Sequence, residues 1–237
     1  MKNIMKVLGI IVIAALASAA CTGRNGSGSG GRSAALRESP VSDFSYSLTD
    51  DGRGIRITRY TAYDNDVVIP ATIEDMPVLE IGDRAFGADG LSETLLSVVV
   101  PNGVEIIGRS AFSNKYNLRS VTLPDSVRII NRNAFYRNPH LTSVNLPANS
   151  DLIIADDAFR LNPELTDLVI PASLTSIRFV SEVSDGTVVE FGTTWDWDEG
   201  SNSIFERPIE SDSFRGCQKL PLRTRQRLQE LGYKGEF

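Results

Sequence analysis

The chain has 237 residues, of which 41% are apolar, and its formal net charge at pH 7 is −6. A chain of this length and apolar fraction can bury a sizeable core in one or two domains. The acidic balance argues against a nucleic-acid-binding protein, because such proteins present a basic stripe to the phosphate backbone.

Residues 1–20 have the organisation of an export signal. Lys2 and Lys6 provide a basic start, residues 7–17 form an apolar run, and small residues lead up to Cys21. This order is typical of a signal peptide with its cleavage site. The cysteine resembles that of a lipoprotein signal, which implies that Cys21 is lipidated and that residues 1–20 are removed. An ordinary signal peptide and an uncleaved anchor are the alternatives.

Residues 21–40 are predicted to be a lipid-anchored flexible tether, because the segment after Cys21 is rich in glycine and serine. A flexible linker of this length has an r.m.s. end-to-end distance of roughly 25 Å. The lipoprotein resemblance implies several acyl chains on Cys21, and stable membrane anchoring needs more than one. Removing residues 1–20 removes two lysines and no acidic residue, so the remaining chain has a net charge of −8.

A β-hairpin is predicted at the start of the fold, within residues 41–70. Apolar and polar residues alternate over residues 44–48 and again over residues 55–57, with the turn residues Asp51 and Gly52 between them. Alternation on both sides of such a turn is typical of two antiparallel strands.

Residues 71–177 repeat two phrases in turn. A Leu-x-x-Val-x-Leu-Pro phrase recurs with its prolines at steps of 23, 23 and 24 residues, at Pro101, Pro124, Pro147 and Pro171. An Ile-x-x-x-Ala-Phe phrase ends at Phe86, Phe112, Phe135 and Phe159, and it returns with serine in place of alanine at Phe214. Repeats of this period are the signature of a solenoid.

The repeated phrases predict the physical basis of the fold. The Leu-x-x-Val-x-Leu phrase predicts a short strand with one buried face, and the proline ends the strand because it has no N–H to donate. No single repeat can bury its apolar face, so the repeats must stack. We therefore predict a mainly β repeat solenoid, in which the hairpin of residues 41–70 covers the first coil as an N-terminal cap.

The order of the two phrases resembles the BspA-type leucine-rich repeat, a bacterial variant that alternates Ile-x-x-x-Ala-Phe with Leu-x-x-Val-x-Ile-Pro. The resemblance extends from Asp43 to Leu220, which is most of the chain after the tether. It implies a curved solenoid on an exported or surface protein that is used for binding rather than catalysis. It implies no particular ligand.

One face of the predicted strands is expected to be exposed and to carry small, mostly uncharged side chains. We regard this face as a candidate binding surface for a protein or a glycan. The alternative is that these residues only keep a sheet face soluble, since none resembles a buried anchor. The eight residues are Ser97, Val99, Ser120, Thr122, Ser143, Asn145, Asp167 and Val169.

Residues 178–208 interrupt the regular spacing of the repeats and are predicted to be an irregular repeat or an insertion. A strand is predicted near residues 186–191, at nearly the spacing of a further repeat. Trp195 and Trp197 follow it and alternate with acidic residues. Tryptophan is enriched at the centres of binding sites, so both are candidate binding residues, and packing within the fold is the alternative. A calcium loop is not favoured, because its closing glutamate would fall on Arg207.

Residues 209–237 are predicted to complete the last repeat and to end in a short helix. Pro221 begins a segment with apolar residues at Leu222, Leu228 and Leu231, and a glycine follows. The arginines of this segment are expected to face water. The helix is expected to cover the open C-terminal end of the solenoid as a second cap.

No catalytic motif is found in the sequence. Cys217, the second of two cysteines, is expected to be a buried thiol without a disulfide partner. His140 is the only histidine, which excludes a histidine-based metal site and leaves any catalytic triad dependent on one loop residue. No motif points to a carboxylate pair for glycoside hydrolysis. We therefore expect no enzymatic activity, no cofactor, no metal and no nucleic-acid partner.

Three functions agree with the sequence. The favoured one is a non-enzymatic, adhesin-like lipoprotein of the outer membrane and cell surface that binds a protein or glycan partner. The second is a periplasmic scaffold or assembly lipoprotein of the envelope. The third, less favoured, is a hydrolase acting on envelope glycans. Thr22 after the cysteine shows no inner-membrane retention signal, which favours the outer membrane.

Overall fold

The structure, a computed structural model, describes residues 37–87, 94–184, 187–189, 193–198, 203–208 and 211–237. The predicted signal peptide, Cys21 and nearly all of the tether lie outside these residues, and their predictions stay predictions. Within the described ranges, no helix has the length and apolar character needed to cross a membrane.

The described chain contains seventeen short strands, one α-helix and a single 3₁₀ turn at Val41–Asp43. The helix, α1, is Leu222–Glu230. The strands in chain order are β1 (Phe44–Leu48), β2 (Ile55–Tyr60), β3 (Asp66–Val68), β4 (Thr72–Ile73), β5 (Met76–Ile81), β6 (Ser97–Val99), β7 (Ile106–Ile107), β8 (Ser120–Thr122), β9 (Ile129–Ile130), β10 (Ser143–Asn145), β11 (Ile153–Ala155), β12 (Asp167–Val169), β13 (Arg178–Val180), β14 (Glu182–Ser184), β15 (Thr187–Val189), β16 (Thr193–Asp198) and β17 (Ser203–Pro208).

Each coil of the solenoid contributes one strand to each of two sheets. The five-stranded sheet has the order β12-β10-β8-β6-β3 and is parallel throughout. In the eight-stranded sheet, β5, β7, β9, β11 and β13 pair in parallel, one coil after the next. Parallel strands in register are what a chain produces when the same phrase returns after each turn. The predicted mainly β solenoid is confirmed.

The interior of the coils holds an aromatic column that runs from one end of the solenoid to the other. Neighbouring rings have centroids 4.6–5.4 Å apart. Stacked rings of this kind contribute energy beyond the area they bury. The alanine before Phe86, Phe112, Phe135 and Phe159 is buried and leaves room for the ring of the next coil. The column consists of Phe44, Tyr60, Phe86, Phe112, Phe135, Phe159, Phe214 and Tyr233.

A third set of hydrogen bonds joins the coils where the chain turns around the aromatic column. The backbone N–H of Phe112 donates to Ala134 C=O at 2.8 Å, and that of Phe135 donates to Ala158 C=O at 2.7 Å. Each turn also places non-glycine residues in the left-handed region, which L-residues adopt at a cost. These residues include Arg84, Ser110, Asn133 and Asp157, which all occupy the position before the alanine.

Both predicted caps are present. The hairpin of β1 and β2 is antiparallel, and β2 then pairs in parallel with β5, so the hairpin extends the eight-stranded sheet at its N-terminal end. At the other end, Leu228 and Leu231 of the α1 segment are buried against the core. Leu222, the first residue of the helix, is 70% exposed and does not take part in this packing.

The arginines of α1 do more than face water. Arg225 donates from Nε to Leu220 C=O at 2.9 Å, and Arg227 donates to Leu174 C=O at 2.7 Å. Both accepting carbonyls lie outside the helix. The two arginines therefore hold the capping helix on the last coils, which corrects the expectation from sequence for them, while Arg223 is exposed as expected.

Candidate binding surfaces

The eight sheet residues singled out from the sequence all lie on the outer face of the five-stranded sheet. They alternate with the buried residues Val98, Val121, Val144 and Leu168. Register places Ser97, Ser120, Ser143 and Asp167 in one row across the strands, with Asp66 continuing the row at its other end.

This row has hydroxyls at its centre and a carboxylate at each end. Ser97 donates to Asp66 at 2.5 Å, and Ser143 donates to Asp167 at 3.1 Å. Five strands give four steps between the two carboxylates, a span of about 19 Å. Val169, in the second row, is 48% exposed. The face can donate and accept hydrogen bonds along a line, but whether it binds a partner stays a prediction.

The second row includes an asparagine that is also part of the sheet. Asn145 accepts a hydrogen bond from Leu123 N–H at 2.8 Å, and its amide donates to Leu123 C=O at 2.6 Å. The side chain thus replaces a backbone partner between neighbouring strands. A ligand would have to break these bonds to use the Asn145 amide fully.

Trp195 and Trp197 lie on β16, which forms an antiparallel hairpin with β17. Trp195 is opposite Glu206 and Trp197 is opposite Ile204. Among the elements that the structure describes, this hairpin is a two-stranded sheet of its own. The structure therefore does not bring the two tryptophans into either sheet of the solenoid.

The irregular stretch begins later than the sequence suggests. Arg178–Val180 is still a solenoid strand, because it pairs in parallel with Ile153–Ala155, and Phe179 occupies the position of Ile154. The strand expected near residue 187 is β15, but it pairs antiparallel with β14 and not with a preceding coil. This stretch is consequently an insertion and not a further repeat.

Strand β14 joins the insertion to the outer face of the eight-stranded sheet through hydrogen bonds and apolar packing. The amide of Asn131 donates to Val183 C=O at 2.6 Å, and its oxygen accepts from Val183 N–H at 3.2 Å. Val183 also packs with a small apolar cluster that includes Ile129 and Ile153. Asn131 stands where two earlier coils have glycine, at Gly82 and Gly108.

Asp156 forms hydrogen bonds with the residues on both sides of the insertion, Ser181 and Asp212. Its backbone N–H donates to Ser181 C=O at 3.4 Å, and its carboxylate accepts from Asp212 N–H at 2.8 Å. Burial raises the pKa of Asp156, and the nearby acidic residues Asp157 and Asp212 act in the same direction. The backbone hydrogen bond from Asp212 only partly offsets this.

Asp156→Asn is expected to raise the melting temperature at pH 7. Because the folded state holds the proton of Asp156 more tightly than the unfolded chain, charging this group costs stability as the pH rises above its ordinary pKa of 3.8. Asparagine keeps an oxygen that accepts from Asp212 N–H. Thermal unfolding between about pH 3 and pH 7 should show a gain that shrinks towards low pH. Asp151→Asn, at an exposed position, is the control, and a lower melting temperature for Asp156→Asn at pH 7 would contradict the argument.

A row of buried side chains in the turns was missed from the sequence. Asn138 and Asn162 are fully buried, each three residues after a phenylalanine of the aromatic column. The Asn138 oxygen accepts from Lys115 N–H at 2.7 Å, and the Asn162 oxygen accepts from Asn138 N–H at 2.9 Å. The repeated Asn-Pro pairs at these positions were the available signal.

Cys217 occupies the same position in the last coil and ends this row. Its thiol donates to Phe159 C=O at 3.1 Å, and it is fully buried, as predicted. Burial raises the pKa of the Cys217 thiol to about 12. A thiol in this environment is structural and unreactive.

A groove of about 270 Å³ lies between the β1–β2 turn and the outer face of the eight-stranded sheet. Its charges are paired: Arg56 contacts Asp50 and Glu80, each at 2.8 Å, and Arg128 contacts Glu105 at 2.9 Å. Burial raises the pKa of Glu80, while Arg56 opposes this. The groove is lined by Thr49, Asp50, Asp51, Arg53, Arg56, Leu79, Glu80, Glu105 and Ile106.

Within the part of the chain that the structure describes, no group of three or more histidine, cysteine, aspartate or glutamate residues has the arrangement of a metal site. His140 is exposed in a turn of the solenoid.

Comparison with known proteins agrees with this geometry. The family model described as BspA type leucine rich repeat region matches residues 69–180 in six copies. The chain is similar to a leucine-rich repeat protein from T. pallidum, with 28% identity, a TM-score of 0.57, and coverage of 85% of this chain and 99% of that one. It is also similar to a leucine-rich repeat protein from Bacteroides capillosus, with 27% identity, a TM-score of 0.48, and coverage of 56% and 98%.

No curated protein matches the chain. The assignment therefore depends on the repeat match and on the similarity to the T. pallidum structure. Residues 69–180 of this chain are a leucine-rich repeat region of the BspA type.

Proposed function

We propose that this protein is a non-enzymatic, lipid-anchored protein of the bacterial cell surface that binds a protein or glycan partner through its solenoid. The observation that carries the proposal is a repeat region of the BspA type that folds into stacked coils with an outer face of small, mostly uncharged side chains. Repeat solenoids present extended surfaces of this kind for binding.

The placement at the surface is supported by the predicted export signal and by the repeat region, which agrees with an exported protein. The tether after Cys21 would hold the solenoid away from the membrane. The outer-membrane location and the lipid on Cys21 are part of the proposal.

The geometry supports binding better than catalysis. The carboxylates of the groove are engaged with arginines, and the one buried thiol has a raised pKa that keeps it protonated. Bond-breaking chemistry needs a reactive group within reach of a substrate, with its partner oriented beside it. The outer face of the five-stranded sheet offers hydrogen bonds without such a group.

Protease treatment of intact cells tests this function, and we expect it to digest the wild-type repeats without lysis. Replacing Cys21 with alanine should release the protein from the membrane fraction into the soluble fraction, because the acyl chains are lost. Immunoblots of whole cells and membrane fractions, read with antibodies to the solenoid, provide both measurements. A periplasmic protein in the same cells serves as the control for intact outer membranes.

The outcomes separate the candidate functions. Protection of the repeats until the outer membrane is opened would reject the surface role and favour the periplasmic scaffold. Unchanged membrane attachment of the Cys21→Ala protein would reject the lipid anchor. Cleavage of an envelope glycan by the purified protein would favour the hydrolase.

A further inference from the structure

The fifth coil of the solenoid is interrupted by a segment whose two ends are in phase with the coil below. Phe179 pairs with Ile154 in the eight-stranded sheet, and Phe214 stacks on Phe159 with ring centroids 5.1 Å apart and planes within 5°. In the fourth coil the sequence separation between Ile154 and Phe159 is five residues. In the fifth coil the separation between the equivalent residues, Phe179 and Phe214, is thirty-five. The excess is thirty residues, 182–211.

After the insertion, the chain continues the fifth coil in the position that an uninterrupted coil would occupy. Phe159 N–H donates to Ser213 C=O at 2.8 Å, in the same way that Phe135 N–H donates to Ala158 C=O at 2.7 Å. Joining Ser181 directly to Asp212 would produce Phe-Val-Ser-Asp-Ser-Phe, which has the length and order of the Ile-x-x-x-Ala-Phe phrase. The two joined residues already meet at Asp156, which bonds to both.

The insertion differs from the rest of the chain in charge and in aromatic content. Residues 182–211 contain eight acidic residues and one basic residue, a net charge of −7, while the remainder of the chain is nearly neutral at +1. Both tryptophans of the protein lie within it. Because Trp195 and Trp197 are two apart on β16, with Glu206 and Ile204 opposite, their positions fall on one side of the hairpin.

We propose that residues 182–211 are a separable recognition element grafted onto the solenoid, and that the paired strands β16 and β17 contact a basic surface on a partner protein. The proposal rests on the proposed binding function and names the element and partner class. Acidic residues around tryptophan attract a basic protein surface and repel anionic polymers such as nucleic acids and phosphorylated glycans. Tryptophan supplies the anchors that dominate protein interfaces.

Deleting residues 182–211 tests whether the element is separable. The shortened protein should fold cooperatively, with a melting temperature about 2–4 °C below wild type, because Ile129 and Ile153 lose their cover. Deleting residues 180–211 is the matched control: it leaves the coil two residues too short to reach Phe214, and it should lower the melting temperature much further, because the last coil can no longer stack on the coil before it. Circular dichroism melts of both variants decide the point, and equal loss of structure in both would overturn the proposal.

A phage-displayed library of random peptides tests the partner class, with the purified chain after the tether as bait. Wild type should enrich peptides rich in lysine and arginine, and the enrichment should weaken as salt is raised. The Δ182–211 variant and a Trp195→Ala/Trp197→Ala variant should each lose at least about tenfold in enrichment. Ser120→Ala/Thr122→Ala, on the solenoid sheet, is the control and should enrich the same peptides as wild type.

The outcomes distinguish this proposal from the function on which it rests. If Δ182–211 enriches the same peptides as wild type and the Ser120→Ala/Thr122→Ala control loses them, the solenoid sheet binds and the grafted element does not. Enrichment of acidic or uncharged peptides, or of none, would overturn the basic partner. Surface exposure of the protein is measured separately and would stand in either case.

Discussion

Replacing Asn162 with aspartate is expected to destabilise the fold by about 3–5 kcal/mol, more than replacing it with alanine, because a buried charge would be left without a partner. The Asn162 amide donates to Phe159 C=O at 2.6 Å and to Phe135 C=O at 3.0 Å, while its oxygen accepts from Asn138 N–H at 2.9 Å. Aspartate has nearly the same shape but cannot make these two donations when charged. Its oxygens would face the carbonyls instead.

Alanine at position 162 should cost less, about 1–3 kcal/mol, since the main loss is the buried N–H of Asn138 without an acceptor. Phe135 C=O still receives the Asn138 amide at 3.0 Å, and Phe159 C=O still receives the Cys217 thiol. The order aspartate worse than alanine is therefore the specific expectation. A role based only on side-chain volume would reverse it, because aspartate fills the space and alanine leaves a cavity.

Urea unfolding followed by circular dichroism at pH 7 measures these differences. Asn102→Asp is the matched control, because Asn102 is exposed in a loop between the sheets, and it should change the free energy of unfolding by less than about 0.5 kcal/mol. The deficit of Asn162→Asp should also shrink at low pH, where the carboxyl gains a proton that it can donate. Equal stability of the two Asn162 variants would show that the amide donations do not matter.

The contrast between Asn162 and the phenylalanines shows what the sequence could predict. Phe112, Phe135 and Phe159 recur at steps of 23 and 24 residues with an alanine before each of them, so the period alone indicates a shared core. Asn138 and Asn162 recur in only two coils, with Lys115 and Cys217 in the same position elsewhere. Because the members of this row differ in chemistry, the sequence shows no period beyond the two Asn-Pro pairs, and only the structure shows that hydrogen bonds to the backbone join the row.

The bounds of the insertion could not be predicted from the sequence for a related reason. Ile209 starts another Ile-x-x-x-x-Phe phrase in the sequence, but the pairing with Ile154 is made by Phe179. A bulky apolar residue of either type fills that position, so the phrase alone cannot say which one continues the sheet. Ile209 lies outside the described residues. Register in the sheet, which depends on contacts with another coil, decides the boundary.

The candidate sheet surface followed from the sequence more directly. Strand alternation is a local property, so the burial of Val121 fixes the outward direction of Ser120 and Thr122 on either side of it. What alternation does not contain is the bond between Asn145 and Leu123, which joins two coils. Local patterns therefore predict which side chains face outward, and contacts between coils determine which of those are already engaged.

Replacing Phe135 with alanine is expected to cost about 3–5 kcal/mol, the range for deleting a fully buried ring. Phe135 lies in the middle of the aromatic column, 5.4 Å from Phe112 and 5.1 Å from Phe159 by ring centroids, and its side chain is fully buried. In a solenoid each coil is stabilised mainly by its two neighbours, so a cavity at the centre weakens two interfaces at once.

Position along the column should therefore matter as well as burial. Phe44, at the N-terminal end, stacks on Tyr60 alone, at 5.3 Å, so Phe44→Ala should cost less than Phe135→Ala. Tyr116→Ala removes a ring that is 48% exposed and should stay within about 0.5 kcal/mol of wild type. Urea unfolding of the three variants gives the ranking. If Phe44→Ala were as costly as Phe135→Ala, the stability would reside in a cap that nucleates the solenoid, and the coils would depend on that end more than on each other.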